Sequence, residues 1–275
     1  MPLDTGPVLG VVLDGLGFGE DGTFWGGEFL LADYTGFRRL ARFRPVPMPG
    51  GAQAMREPWR NTWAHLYESF DREALRERHA DLDIARFLAT KPLEGLRTMA
   101  GKGLNSPMAS SCGRLFDAVA AAIGVCRERV SHEGQAAMEL ESLATAEFDG
   151  EAGSGYPYEL GEGEIRTLEW RRLWDALLED LRRGVAPARI AARFHQGLAL
   201  AVADTAVVLC HESGVDTVVL GGGVFQNRLL LEGVVGALGR TDVRVLSPEK
   251  VPANDGGLAL GQAAIAAASL IRRPV

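Results

Sequence analysis

The chain has 275 residues, 47% of them hydrophobic and 24% charged, with a formal net charge of −7. That length and composition belong to a globular protein able to bury a core as one large domain or two lobes, and the negative balance disfavours a broad nucleic-acid-binding face, which needs clustered Lys and Arg. No long apolar run or leader-like segment stands out, so no membrane partner is expected and the expected location is the cytoplasm. The three cysteines, Cys112, Cys126 and Cys210, form no C-x-x-C pair, which argues against a disulfide framework or a zinc knuckle.

In chain order, Val8–Leu13, Gly22–Leu31 and Phe37–Val46 read as an antiparallel meander of strands. The first ends in Asp14-Gly15-Leu16-Gly17-Phe18-Gly19, a carboxylate delivered at a strand end into a glycine-rich turn. Gly26-Gly27 inside the second strand marks either a bulge or a close approach of backbone to ligand, and Glu28 beside it reads as solvent-facing. Helical periodicity follows over Glu57–Phe70 and Glu73–Leu88, with Trp59, Trp63, Leu66 and Phe70 on one core-packing face. His65 and His79 have no partner at i+4 and read as surface or satisfied core residues, not metal ligands.

Ser110-Ser111 supplies a helix N-cap, and beyond it Gly113 and Asp117 lie one turn apart near the positive helix end. A carboxylate above a glycine is placed there to accept hydrogen bonds from a ribose diol. Another helix starts near His132-Glu133-Gly134-Gln135, residues 149–163 read as an exposed loop, and Ala188–Glu212 is a long apolar helix in which His195 is a packing or hydrogen-bonding residue. The strand Thr217–Leu220 then empties into Gly221-Gly222-Gly223, ahead of Asn227 and a helix over Arg228–Leu238. That order lets backbone N–H groups meet a phosphate at a helix N-terminus. The strand Val243–Leu246 follows, and then Asn254-Asp255-Gly256-Gly257 opens a small-residue helix over Leu258–Ile271, so the second half alternates strand and helix. Together, Asp14, Asp255 and the glycine turns suggest a cleft for a metal and a phosphorylated ligand; singly, each aspartate reads as a turn or helix cap.

These strings, with Pro58-Trp59-Arg60-Asn61 and Glu133-Gly134-Gln135-Ala136-Ala137-Met138-Glu139-Leu140-Glu141 between them, run in order over essentially the whole chain. The chain thereby resembles the C-terminal transferase module of the hydrogenase-maturation carbamoyltransferases of the HypF type. The resemblance implies an α/β fold, the actin-like, sugar-kinase-like two-lobe ATPase architecture with its first lobe incomplete. In that frame residues 1–108 form a partial first lobe and 109–275 a second lobe, with the helix over 255–272 returning to the first. The resemblance makes Asp14 and Asp255 ligands of a divalent metal (Fe, Zn or Mg), and sets Gly15 and Gly17 against a phosphate or carbamoyl group. It also puts Gly113 and Asp117 on the ribose, and Gly222, Gly223 and Asn227 on the rest of an ATP or AMP moiety.

The implied activity moves a carbamoyl group from carbamoyl-adenylate to the C-terminal cysteine thiol of a HypE-type acceptor protein. Its alternatives are a tRNA threonylcarbamoyl transferase-like enzyme and a non-catalytic nucleotide-binding or docking fragment. Two departures stand out: the family's H-x-x-x-H metal pair is absent, and so are the upstream first-lobe strands and the adenylate-forming domain normally in the same chain. The expectation is therefore a fragment, or one piece of a split enzyme. No side chain presents itself as a general base.

Overall fold

The computed structural model describes residues 6–71, 79–148 and 155–271. The meander consists of β1 (Val8–Phe18), β2 (Phe24–Asp33) and β3 (Gly36–Phe43), paired antiparallel in that order. A short β4 (Val46–Pro47) leads to helices α1 (Ala52–Arg56), α2 (Trp59–Ser69), α3 (Asp83–Ala89) and α4 (Leu93–Lys102). Next come β5 (Met108–Ala109), α5 (Cys112–Ala122), α6 (Gln135–Thr145), β6 (Glu159–Gly161), β7 (Arg166–Glu169), α7 (Arg171–Arg182) and the 27-residue α8 (Pro187–Ser213). The chain continues through β8 (Thr217–Gly221), α9 (Arg228–Leu238), β9 (Arg244–Leu246) and α10 (Leu258–Ile271).

Among the described residues one sheet of nine strands carries the fold, in the order β6-β7-β3-β2-β1-β8-β9, with β5 joining β2 and β4 off that path. β8 lies parallel to β1, and β9 parallel to β8. Strands from either side of position 108 therefore share the sheet, and the hydrogen bonding draws no boundary there. Alternation sets the faces: Leu9, Val11 and Leu13 of β1 are fully buried while Val8, Gly10 and Val12 are only partly so. Against the buried side pack α5, all of whose residues are buried, and α8, which enters on Pro187 and leaves on a left-handed Gly214. α8 is long and apolar enough to cross a membrane by length and composition, yet its most apolar window is 72% buried inside this fold, so it is the central core helix.

Several expectations need adjustment. The glycine-rich turn after Leu13 is instead a continuation of β1, which loses register with β2 between Leu13 and Gly17 and recovers it through Phe18. Of the helix expected over 73–88, residues 73–78 lie outside the described residues and Asp83–Ala89 is helical. Of the loop expected over 149–163, residues 149–154 lie outside them and Glu159–Gly161 is an edge strand. The helix α10 keeps only Ala268 buried and exposes Leu258, Leu260, Ile265, Leu270 and Ile271.

Candidate functional site

A cavity of about 660 Å³ opens where β1, α5, α6 and the turn after β8 converge. Its wall takes Asp14 and Gly15 from β1, Gly113, Arg114 and Asp117 from α5, Glu133 and Gly134 ahead of α6, and Glu141 from α6. Gly223 and Asn227 close one side, and Asn254, Asp255 and Gly256 another. Of the nine residues singled out in the sequence, Asp14, Gly15, Gly113, Asp117, Gly223, Asn227 and Asp255 line this space; Gly17 and Gly222 do not. Gly17 sits in the resumed β1–β2 ladder opposite Trp25. Gly222 lies behind the wall, at φ 99° and ψ 154°, where a Cβ would stand 2.6 Å from the Leu13 carbonyl carbon and 2.8 Å from its nitrogen. Only glycine occupies that backbone region without strain. Its N–H donates to the Ala253 carbonyl at 2.8 Å, which ties the Asn254–Gly256 turn to β8.

One hydroxyl joins α5 to β1. Ser111 Oγ accepts the Arg114 N–H at 3.0 Å, capping the helix, and donates to the Gly15 carbonyl. A Cβ on Gly113 would be 2.9 Å from Gly15 Cα, so the two backbones touch. Asp14 Oδ1 accepts the Gly15 N–H at 2.7 Å.

At the base of the cavity Asp117 is 3% exposed, with its Oδ2 2.8 Å from an Arg114 guanidinium nitrogen. That separation is within ion-pair range but the alignment is poor, and among the described residues neither Asp117 Oδ2 nor Arg114 Nε has a hydrogen-bond partner. Burial pushes the Asp117 carboxyl up to about 6, against the pull of Arg114 and helped by Glu133. A buried carboxylate with unspent acceptor capacity is stabilised by any ligand that brings O–H or N–H donors.

The helix end expected to receive a phosphate is already engaged. Glu141 Oε1 accepts the N–H groups of Arg228 at 2.7 Å and Leu229 at 3.4 Å, and Asn227 Oδ1 accepts that of Leu230 at 2.9 Å. The first turn of α9 therefore spends its free donors on protein groups, and a four-residue 3₁₀ turn, Gly223–Gln226, separates it from the glycines. Glu141 was within reach of sequence reading only as one of several carboxylates on an amphipathic helix; its cap acts on a residue 87 positions away.

Glu28 is the other residue misjudged from sequence: it is buried, not solvent-facing. Its Oε1 takes the Gly26 N–H at 3.2 Å, the Gly27 N–H at 3.4 Å and the Ser110 hydroxyl, while its Oε2 meets Arg39 Nε at 2.6 Å. Gly26-Gly27 accordingly marks a close approach of backbone to backbone: a Cβ on Gly26 would be 2.6 Å from the Asp14 carbonyl oxygen, and one on Gly27 2.6 Å from that of Ser110. The Glu28–Arg39 pair thus braces the junction behind Asp14.

Cys112 is fully buried and its thiol is pushed far up by burial, with Asp14 adding to the effect, which leaves it inert. Among the described residues no three His, Cys, Asp or Glu side chains converge as a metal site. Asp14 and Asp255 offer hard oxygen donors only, which suits Mg²⁺ arriving with phosphates and does not fit Fe or Zn held by imidazole.

The architecture is thus a mixed α/β fold with a cleft at the ends of its central strands. The chain belongs to the carbamoyltransferase Kae1-like domain family, second subdomain, whose model matches residues 10–262. It is 44% identical over 269 residues to the carbamoyltransferase HypF of Rhodobacter capsulatus, covering 98% of this chain and 33% of the relative. It is 38% identical to a carbamoyltransferase HypF homolog of Cupriavidus necator, covering 95% of this chain and 65% of that one. A full-length HypF solved in its phosphate- and nucleotide-bound form superposes with a TM-score of 0.86 at 34% identity, over 97% of this chain and 34% of the neighbour. The chain spans about a third of the length of most of the curated relatives it matches.

Proposed function

We propose that this chain is the nucleotide-holding part of a carbamoyltransferase that moves a carbamoyl group from carbamoyl-adenylate to the C-terminal cysteine thiol of a HypE-type acceptor, in maturation of nickel–iron hydrogenase. The observation that carries the reading is Asp117, a buried carboxylate on the cavity wall whose Oδ2, ion-paired with Arg114, makes no hydrogen bond among the described residues, so that the group keeps acceptor capacity for a ribose diol. The nucleotide and phosphate bound by the solved HypF relative support it.

In this reading Asp117 accepts the ribose hydroxyls, Asn227 fixes the far side of the ligand, and Gly15 and Gly113 let it approach the backbone closely. The acceptor's thiolate sulfur attacks the carbamoyl carbon, the C–S bond forms, and the C–O bond to the phosphate breaks as AMP leaves with the electron pair. The thiol proton goes to solvent or to the acceptor, since no histidine is among the described residues that line the cleft. The wall carries five carboxylates (Asp14, Asp117, Glu133, Glu141 and Asp255) against Arg114, so a bare nucleotide polyphosphate is repelled and Mg²⁺ would supply the missing positive charge, with Asp14 and Asp255 as its carboxylate ligands.

We read the chain as a single lobe, because β1 and β8 share one sheet. A partner lobe and an adenylate-forming domain then come from sequence outside it. The exposed apolar surface of α10 favours a second reading, a nucleotide-binding piece that turns over only with the rest of the enzyme. Titration calorimetry with AMP and with ATP, with and without Mg²⁺, on the wild type and Asp117→Ala tests the first step. Binding that needs Asp117 supports the reading, and a folded chain that binds neither nucleotide sinks it. Carbamoyl mass added to a cysteine-terminated acceptor peptide then separates enzyme from binding piece.

A further inference from the structure

We infer that His195 is a positioning residue that fixes which way round the Asn227 amide sits, so that Asn227 offers the ligand an N–H donor and not its carbonyl. The inference rests on the nucleotide reading of the cleft and adds a polarity to one of its walls.

His195 is fully buried on α8. Its ring meets Phe116 edge-to-face at a centroid distance of 5.3 Å, and Phe194 at 5.6 Å, so it has no room to turn over. Nδ1 lies 2.8 Å from the Ala191 carbonyl oxygen. A carbonyl only accepts, so Nδ1 carries the hydrogen. Burial pushes the imidazole down to about 4, opposed by the bond to Ala191, so the ring is neutral at pH 7 and has no second proton. Nε2 is then a lone pair. The Asn227 atom that stands 3.0 Å from it has to be the amide nitrogen.

A second constraint, independent of the histidine, gives the same answer. The other end of the Asn227 amide receives the Leu230 N–H at 2.9 Å and therefore has to be the oxygen. With its oxygen spent on the α9 cap and one amide hydrogen on His195, the second amide hydrogen has no partner among the described residues, and Asn227 lines the cavity. Whatever ligand atom meets Asn227 is an acceptor: a phosphate or ribose oxygen, or an imine nitrogen of the base. Were the imidazole absent, the Leu230 N–H alone would hold the amide, by its oxygen end, and the N–H donor would no longer be fixed in place.

Two readouts test this. Long-range ¹H–¹⁵N correlation on ligand-free protein at pH 7 reports the tautomer directly: the Nδ1–H form is expected for His195, and an Nε2–H form overturns the inference whether or not any nucleotide binds. Calorimetry with AMP then compares three variants. His195→Gln keeps an acceptor where Nε2 stood, whereas His195→Asn and His195→Phe do not. His195→Gln is expected to bind within about threefold of wild type, and the other two about tenfold or more weakly, at similar melting temperatures. Equal AMP affinity across all three variants overturns the positioning role, as does loss that merely tracks melting temperature. A wild type that fails to bind AMP counts against the nucleotide reading alone, because the tautomer is read without ligand.

Discussion

Gly222→Ala isolates the backbone geometry that joins β8 to β1. The position has φ 99° and ψ 154°, a region that costs a residue with a Cβ about 1–3 kcal/mol. The new methyl would also stand 2.6 Å from the Leu13 carbonyl carbon and nearer still to its oxygen, and relieving such overpacking costs about 1–3 kcal/mol more. The sum, about 2–6 kcal/mol, is a large share of the roughly 5–15 kcal/mol that holds a domain folded. It should lower the melting temperature by roughly 4–24 °C, at about 2–4 °C per kcal/mol for a chain near this size. Gly221→Ala is the control: φ there is not positive, and a Cβ meets no atom within 4 Å, so its effect should stay within about 1 kcal/mol. Urea unfolding of both variants makes the comparison independent of aggregation on heating. If Gly222→Ala proves as stable as Gly221→Ala, the close approach of the two backbones behind Asp14 is not what the glycine is for.

Asp117 predicts a pH signature. Its folded-state pKa is raised, from 3.8 to about 6, so the folded form holds a proton that the unfolded form has lost. The stability this contributes is full below about pH 4 and is lost as pH rises through 6, amounting to roughly 3 kcal/mol. Urea unfolding from pH 4.5 to 7.5 should therefore show wild type losing ground to Asp117→Asn by about 2 kcal/mol, the part of the loss that falls above pH 4.5, and a difference that is flat with pH would count against the buried charge. Glu28→Ala leaves the buried Arg39 with Asp21, at 3.0 Å, as its one remaining carboxylate partner among the described residues, and releases the Gly26 and Gly27 N–H groups; a destabilisation of about 1–3 kcal/mol or more is expected from denaturant unfolding, and one well under about 1 kcal/mol would mean the network is solvated.

Local chemistry made part of this legible in the sequence. Ser111 caps α5, and the bounds of α10 and the antiparallel order of the meander follow from periodicity and glycine placement, because each depends on residues close by in the chain. What escaped depends on pairing across distance. Glu28 looks solvent-facing until Arg39 and Ser110 are folded onto it, and Glu141 becomes a helix cap only when α6 lies against α9. The glycines divide by the same rule: Gly113 and Gly222 are dictated by backbones at Gly15 and Leu13, whereas Gly17 rejoins a regular ladder, and nothing in their local sequence separates these cases. The short strand β7 depends on β3 for a partner and β6 on β7, and neither carries enough pattern of its own to be seen.

The parallel seam between β1 and β8 also sets a schedule. Leu9 pairs with Val218, about 200 residues later in the chain. At ribosomal speeds of about 5–20 residues per second, β1 waits roughly 10–40 s beside β2 with its other edge open before its partner has been made. The site is not a preformed pocket that later segments decorate: Asp14 is made about 200 residues or more ahead of Gly223, Asn227 and Asp255, and the cleft closes only once those have followed. Contacts of such range also fold slowly. While β8 is still unmade, the meander with its open β1 edge is the species that a chaperone would meet.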